Sequence, residues 1–320
     1  MSYRIGMDVG GTNVVIGLFG ADGKLLRRSK TRTVKTSSHE LLRQLADLCK
    51  EIIDAEQVPE QLLSAVGIGL PGFIAKETGL VNAANLPFTD IPVAERLREL
   101  LGVPVTVEND VKMIVYGESL RGAGQGYSHI LGVTLGTGMA SAWVTEGRLH
   151  GGAGGLAGEI GHVAYSDIPY MCGCGMKGCL ETVVSASGIV RQARDGLEAG
   201  WVGLLADRFP PAKREELTSR DVWQAYREGD AFAGQVFQKT AYWLSRVLIP
   251  SVALLSPDVM IIGGGVAAAG AVFFEPLRKY VSESLHPLYR ERLLIVPPSL
   301  GDDSGLYGSA EYAAKQLAAQ

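Results

Sequence analysis

Asp110 closes the run Glu108-Asn109-Asp110 at the end of an apolar stretch and stands ahead of a helical pattern. Strand C-termini in α/β domains face the ligand crevice. A carboxylate delivered there could take the proton from a hydroxyl that attacks phosphorus. The plainer reading of an aspartate at a helix start is a cap on that helix. Glycine turns are the second feature. Asp8-Val9-Gly10-Gly11-Thr12 combines a backbone able to turn sharply with N–H groups that could reach a phosphate, a carboxylate that could hold Mg²⁺ and a hydroxyl donor. A lone glycine pair would suit an ordinary hairpin turn. Here Gly136-Thr137-Gly138 and Gly263-Gly264-Gly265 add two more such turns, which favours phosphate contact by the first two and a nucleoside beside the third. Neither of the first two is a P-loop, because no Gly-Lys-Ser/Thr follows, and neither opens a helix as a dinucleotide fingerprint would.

The third feature is His162 with Cys172, Cys174 and Cys179, spaced His-x9-Cys-x-Cys-x4-Cys. Three thiols and an imidazole are the donors of a tetrahedral zinc site, and four protein ligands leave no open position, so such a zinc would be structural. The competing reading is three buried cysteines serving as small apolar residues. Cys49, beside Leu48 in an amphipathic stretch, reads as core. Glu159 and Glu181 flank the cluster. They are bidentate acceptors suited to vicinal sugar hydroxyls, or simply solvated loop charges.

These residues need elements to carry them. Tyr3 to Val9, Val14 to Phe19 and Lys24 to Thr33 read as three strands, with Asp22-Gly23 as a hairpin turn. Ser37 or Ser38 caps a helix with Leu41, Leu45, Leu48 and Ile52 on one face. Ala65 to Leu70 is a strand ended by Pro71-Gly72, residues 92–101 a helix, Val103 to Val107 a strand, and Val111 to Leu120 a helix. After Gly122–Gly126 the opening pattern recurs at an offset of 126: strand Ile130 to Leu135, a glycine turn, strand Ala140 to Thr145, hairpin turn Glu146-Gly147. Two such hairpins facing across a cleft could hold one nucleotide's phosphates from both sides. Residues 151–181 read as loop, Phe232 to Leu255 as a long helix with Val236, Leu244, Val247 and Leu248 inward, Val259 to Ile262 as a strand, and Gly305 to Leu317 as a closing helix. The rest is mixed.

A chain of 320 residues suits two domains of roughly 100–200 residues each. With 47% hydrophobic and 20% charged residues it can bury real cores. The net charge of −4 and the absence of a Lys/Arg block argue against nucleic-acid binding. The N-terminus has no charged-then-apolar leader, and Val259 to Phe274 is too short and glycine-rich to span a membrane, so cytoplasmic residence without membrane attachment is expected. In a reducing compartment clustered cysteines point to metal.

Taken in order, Asp8-x-Gly10-Gly11-Thr12, Leu70-Pro71-Gly72, Glu108-Asn109-Asp110, Leu135-Gly136-Thr137-Gly138, Gly158-Glu159-Ile160-Gly161-His162, Cys172-Gly173-Cys174 through Gly178-Cys179-Leu180-Glu181, and Gly263-Gly264-Gly265-Val266 resemble the ROK family of sugar kinases and repressors. The likeness runs from about residue 4 to 315 and is most specific at the Glu-x-x-His and the three cysteines. It implies an α/β, actin-like ATPase fold of the hexokinase/ROK type, with two α/β domains and an interdomain cleft. The small domain would span residues 1–121, completed by the C-terminal helix 305–320; the large domain, 122–304, would hold the zinc loop. Hinges would lie near Gly122–Gly126 and before Gly305. The resemblance further implies that Asp110 is the base and that Gly72, Asn85, Asn109, Glu159, His162 and Glu181 contact sugar, His162 also serving as a zinc ligand. Nucleotide and Mg²⁺ would meet Asp8, Gly10, Gly11, Thr12, Asn13, Gly136, Thr137, Gly138, Gly264 and Gly265. ATP, Mg²⁺ and structural Zn²⁺ are the implied cofactors, a hexose the substrate, and a homodimer the implied assembly.

Departures bear on the sugar. Glucokinases of the family usually read Asn-Asp-Ala-Asn, where this chain has Asn109-Asp110-Val111-Lys112. That segment, Asn85-Leu86-Pro87 and Gly136-Thr137-Gly138-Met139 look more like D-allose kinases, whereas Asn109 itself matches the glucokinase pattern. The expectation is transfer of the γ-phosphate of ATP to the 6-hydroxyl of allose, with glucose or another hexose or N-acyl-hexosamine as the alternative. Val111 and Lys112 are read as helix packing and a solvated charge. A sugar-sensing repressor is disfavoured, since only seven residues precede Asp8 and a DNA-binding module would need more.

Overall fold

The computed structural model describes residues 2–318. From the N-terminus, the apolar runs Tyr3–Val9 (β1) and Asn13–Phe19 (β2) lead to Leu25–Arg32 (β3), and the Asp22-Gly23 turn places Gly23 at φ 76°. Ser38–Ala55 (α1) is capped by Ser37, whose hydroxyl accepts the Glu40 N–H, and buries Leu41, Leu45, Cys49 and Ile52. Leu63–Leu70 (β4) is followed by Phe73–Ile74 (β5), Val81–Ala83 (β6) and Phe88–Ile91 (β7), a small three-stranded sheet absent from the sequence-based expectation. Val93–Leu101 (α2) ends at Gly102 in the left-handed region. Val105–Asn109 (β8) starts two residues later than expected: Pro104 has no N–H for the ladder, so it contributes only its carbonyl, to Val66 N–H. Asp110–Arg121 (α3) follows at once.

His129–Leu135 (β9), Met139–Thr145 (β10) and Arg148–His150 (β11) repeat the opening, and residues 151–180 hold short 3-10 turns and two isolated antiparallel bridges, Ala164 with Cys179 and Met171 with Lys177. The helices Glu181–Val184 (α4), Ala186–Glu198 (α5), Leu204–Arg208 (α6) and Ser219–Arg227 (α7) fill the part read as mixed. Ala231–Leu255 (α8) buries Val236, Leu244, Val247 and Leu248 as expected. Val259–Gly263 (β12), Ala271–Ser284 (α9), Pro287–Arg290 (α10), Leu294–Val296 (β13) and Ser304–Ala318 (α11) complete the order. Residues 319 and 320 of the expected closing segment lie outside the described residues.

The strand orders are β3-β2-β1-β4-β8 and β11-β10-β9-β12-β13. In each, outer antiparallel strands meet parallel neighbours: β1 runs parallel to β4 and β4 to β8, as β9 does to β12 and β12 to β13. The weak repeat at an offset of 126 is therefore a duplication of topology. The chain forms two compact units, one comprising residues up to 128, 142–157 and from 298 onward, the other residues 129–141 and 158–297.

The core of the first unit joins Ile5, Met7, Leu41, Leu45, Ile68 and Phe88. The closing helix α11 belongs to this unit. Its Gly308 permits backbone-level approach to α3, since a Cβ there would collide with the Met113 carbonyl. Beside that contact sits Glu118, fully buried. One carboxylate oxygen accepts the Ala123 and Ser299 N–H groups at 2.9 and 3.0 Å; the other accepts the Leu300 N–H at 2.8 Å and the Ser304 hydroxyl at 2.7 Å. Glu118 thus joins, within this unit, the segments that border the chain's passages out at 128 and back at 298. A buried carboxylate stripped from its donors leaves several buried N–H groups unmet. Glu118→Ala is expected to lower unfolding stability by roughly 3–5 kcal/mol, read as a drop in the urea midpoint; an unchanged midpoint contradicts this role.

Candidate active site

In the first unit, the parallel register of β1, β4 and β8 sets Asp8 opposite Gly69 and Gly69 opposite Glu108, so all three strands end at one edge. The turn after β1 closes through Gly10 N–H to the Asn13 carbonyl at 2.9 Å, and Thr33 staples it, its hydroxyl donating to the Gly10 carbonyl and its N–H to the Thr12 carbonyl. The N–H groups of Gly11 and Thr12 make no backbone hydrogen bond among the described residues, as anion-binding donors require. Asn85 packs against Gly11, and Lys35 extends its amine to the same glycine. Sequence reasoning passed over Lys35, because an exposed lysine after a strand carries no signal of its destination.

Asp110 is not the helix cap. Asn109 takes that role, its side-chain oxygen accepting the Lys112 N–H at 3.3 Å, while its amide donates to the Gly72 carbonyl at 3.3 Å. Asp110 begins α3, accepts the Val111 N–H at 2.8 Å, and is paired with no side chain among the described residues. Burial raises its pKa above the usual carboxylate range, partly opposed by that N–H. Asp8 is pushed up to about 6, chiefly by burial and then by the charges of Asp110 and Asp302. Asp302, in the turn before α11, is a third carboxylate of this neighbourhood that the sequence did not single out, because nothing in Gly301-Asp302-Asp303 ties it to Asp8 from a distance of nearly the whole chain. Lys112 is a correction. Read as a solvated charge, it is buried, and its amine donates to the Gly155 carbonyl at 2.6 Å.

In the second unit, Gly136 N–H donates to the Gly138 carbonyl at 3.0 Å and the Gly136 carbonyl receives Ala186 N–H at 2.8 Å. Glu181 accepts the Met139 N–H at 2.9 Å, and a Cβ on Gly138 would meet its carboxylate and displace it. The glycine run lies alongside: Gly263 pairs with Thr134, and Val266 N–H donates to the Leu135 carbonyl at 3.2 Å. Gly264 and Gly265 thus adjoin the Gly136–Gly138 turn. Glu159 approaches His162 Nε2 to 3.9 Å, and the other ring nitrogen, Nδ1, lies 3.7 Å from Cys172 Sγ. The donor atoms of His162, Cys172, Cys174 and Cys179 all fall within 4.8 Å of one another, with Cys174 and Cys179 sulfurs 3.6 Å apart. The 3.6 Å sulfur–sulfur and 3.7 Å nitrogen–sulfur separations are close to the edge of about 3.8 Å in a tetrahedron with metal–sulfur bonds of about 2.3 Å. Cys49, buried in α1, takes no part.

The expected site residues therefore assemble as two groups. Asp8, Gly10–Asn13, Gly72, Asn85, Asn109 and Asp110 belong to the first unit, and Gly136–Gly138, Glu159, His162, Glu181, Gly264 and Gly265 to the second. Among the described residues, no helix is long and apolar enough to cross a membrane.

Asp8 sets a cost that pH reveals. The folded protein keeps its proton up to about pH 6, whereas an ordinary aspartate releases it near 3.8. This contribution to stability is complete below pH 3.8 and is lost as pH rises through 6. Asp8→Asn is therefore expected to raise the unfolding free energy at pH 7 by on the order of 2–3 kcal/mol, seen as a higher melting temperature, and to change it little at pH 4. A variant that melts lower than the parent at pH 7 refutes this.

The sequence profile of the ROK family matches residues 4–316. A glucokinase of Thermotoga maritima is 34% identical over 316 residues, covering 98% of each chain. Among solved structures, the ROK hexokinase of Thermus thermophilus is 27% identical with a TM-score of 0.84, covering 99% of this chain and 100% of that one. The ROK family glucokinase of Streptomyces griseus, solved in complex with glucose and AMPPNP, is 28% identical with a TM-score of 0.79, covering 98% and 100%. The duplicated sheets, the glycine turns and these likenesses make the fold the actin-like ATPase fold of hexokinase type, and the chain belongs to the ROK family.

Proposed function

We propose that the protein is an ATP-dependent hexose kinase in which Asp110 accepts the proton of the sugar's 6-hydroxyl as that oxygen bonds to the γ-phosphorus of ATP and ADP departs. The observation that carries this is the division of labour at the start of α3. Asn109 caps the helix, which leaves the half-buried Asp110 carboxylate available, with its pKa raised above that of an ordinary aspartate. Gly72, Asn85, Asn109, Glu159, His162 and Glu181 are proposed as sugar contacts. The turns at Gly10–Asn13 and Gly136–Gly138, with Gly264 and Gly265, are proposed to hold the nucleotide through backbone N–H groups. Mg²⁺, which Asp8 would hold, supplies charge neutralisation on the phosphate oxygens.

Glucose stands ahead of allose as substrate. The allose expectation rested on Val111, Asn85-Leu86-Pro87 and Met139, and it finds no support among the relatives reported, one of which is named for glucose and another was solved with it. Asp110→Asn is expected to abolish phosphoryl transfer while sugar still binds by calorimetry. The raised Asp110 pKa places the acid limb of kcat/KM above the pH at which an ordinary aspartate titrates. A coupled ADP-release assay with glucose, allose, mannose, fructose and N-acetylmannosamine checks the reading; substantial turnover by Asp110→Asn, or sugar binding without turnover by the parent, sinks it. The latter result would favour a sugar-sensing regulator. A homodimer in the reducing cytoplasm is the proposed setting, which light scattering of the purified chain tests for the assembly.

A structural zinc is proposed at His162, Cys172, Cys174 and Cys179, on the donor set and spacing above. Residues 151–180 have little regular structure of their own, so the ion would fix Glu159 and Glu181 relative to each other. One zinc per chain is expected by elemental analysis, and Cys174→Ala or strong chelation is expected to lower thermal stability. A metal-free protein with an unaltered melt would dispose of the proposal.

A further inference from the structure

Lys112 lies two residues beyond Asp110 on α3, and its side chain is 7% exposed. Burying an amine is costly unless it is both paired and hydrogen-bonded. Glu108, equally buried, lies 3.7 Å away, and the same Glu108 oxygen accepts the Asn109 N–H at 2.9 Å. At 3.7 Å the carboxylate compensates charge without a direct hydrogen bond. The directed contact is the other one, from Lys112 Nζ to the Gly155 carbonyl at 2.6 Å, a short charge-assisted bond.

The receiving segment, residues 151–157, has little to hold itself. Gly152, Gly154 and Gly155 all have positive φ, Leu156 is 58% exposed, and the internal hydrogen bonds are few: Ala157 N–H to Gly151 at 3.0 Å, Leu156 N–H to Ala153 at 3.2 Å and a long one from Gly155 N–H to Gly152 at 3.4 Å. Lys76 brings its amine to Gly151 and packs its stem against Gly155. The buried amine of Lys112 ties the middle of the segment to α3 through the Gly155 carbonyl, while Ser141 holds the Gly158 carbonyl just beyond it. Immediately after this segment the chain reaches Gly158 and Glu159.

We propose that Lys112 is a positioning residue: its buried amine straps the 151–157 segment to the helix that carries Asp110, and so fixes the approach of the chain to Glu159 for sugar binding. The strap rests on the hexose-kinase reading for its consequence, though not for its existence. Holding the segment in place saves the sugar the ordering cost it would otherwise meet on binding. Loss of the strap therefore weakens sugar binding and leaves the nucleotide's contacts untouched.

The test compares Lys112→Met with the double variant Glu108→Gln/Lys112→Met, which leaves no unpaired carboxylate buried. Amide hydrogen exchange on the ligand-free proteins reads the strap directly, whatever the catalytic activity. Both variants are expected to exchange faster across 151–157, and the double variant to melt near the parent temperature. With the preferred sugar, KM is expected to rise roughly tenfold, the scale of one lost charge-assisted hydrogen bond, with kcat and the KM for ATP near parent values. Parent-like exchange across 151–157 in the double variant overturns the strap. Faster exchange with an unchanged sugar KM, or an equal loss of kcat with KM unmoved, overturns its role in positioning. A parent protein that phosphorylates no sugar would refute the kinase reading instead, and the exchange comparison would still decide whether the strap exists.

Discussion

The parallel register of β1, β4 and β8 is the constraint on which the first unit's chemistry depends. Asp8 and Glu108 stand in one row on either side of Gly69, so the residues that follow each strand emerge at the same edge. A slip of one residue would turn every side chain to the opposite face. Register is held because Ile5, Met7, Val66 and Ile68 must stay in the core. The consequence is electrostatic as well as geometric. Asp8 and Asp110 are gathered at this edge, and the pKa of each rises because each is poorly solvated, Asp8 also feeling the charges of Asp110 and Asp302. Such crowding destabilises the empty protein and suits a place where a cation and a proton acceptor are wanted.

Buried charge recurs elsewhere in the same unit in two further forms. Glu118 is surrounded by N–H and O–H donors from three stretches of chain, and Lys112 is set between a carboxylate and a carbonyl. Both sit on α3 with Asp110. One helix thereby anchors Asp110, the return of the chain into α11 and the glycine-rich segment after β11. A substitution on α3 would act through several of these connections at once, which is why apportioning effects among them calls for double variants.

The second unit solves a different problem. Its stretch from residue 158 to α4 offers few apolar residues to bury, and Met171, Met176 and Val163 are exposed. The zinc proposed at His162, Cys172, Cys174 and Cys179 would be a physical substitute for the missing core. Glu181 connects that loop to the second glycine turn, since one carboxylate oxygen receives the Met139 N–H and the other lies 3.5 Å from Cys172 Sγ.

Periodicity and turn chemistry alone determined most strands and long helices, the duplicated strand–turn–strand pattern and the four-ligand cluster, because each is encoded by neighbours within a few residues. Ser37 as a cap, the Asp22-Gly23 turn and the inward face of α8 are local in this sense. The small sheet β5-β6-β7 escaped because strands of two to four residues carry too short a pattern to register. What only the tertiary structure decided involves partners distant in sequence: Asp302 beside Asp8, Glu118 receiving Ser299 and Leu300, and Lys112 reaching Gly155. A charged residue in a sequence reads as solvated by default, and it becomes buried only when folding brings donors or acceptors from elsewhere to meet it. The junction at Asn109 and Asp110 lies between these cases: the sequence offered both cap and base for the aspartate, and the packed helix gave the cap to its neighbour.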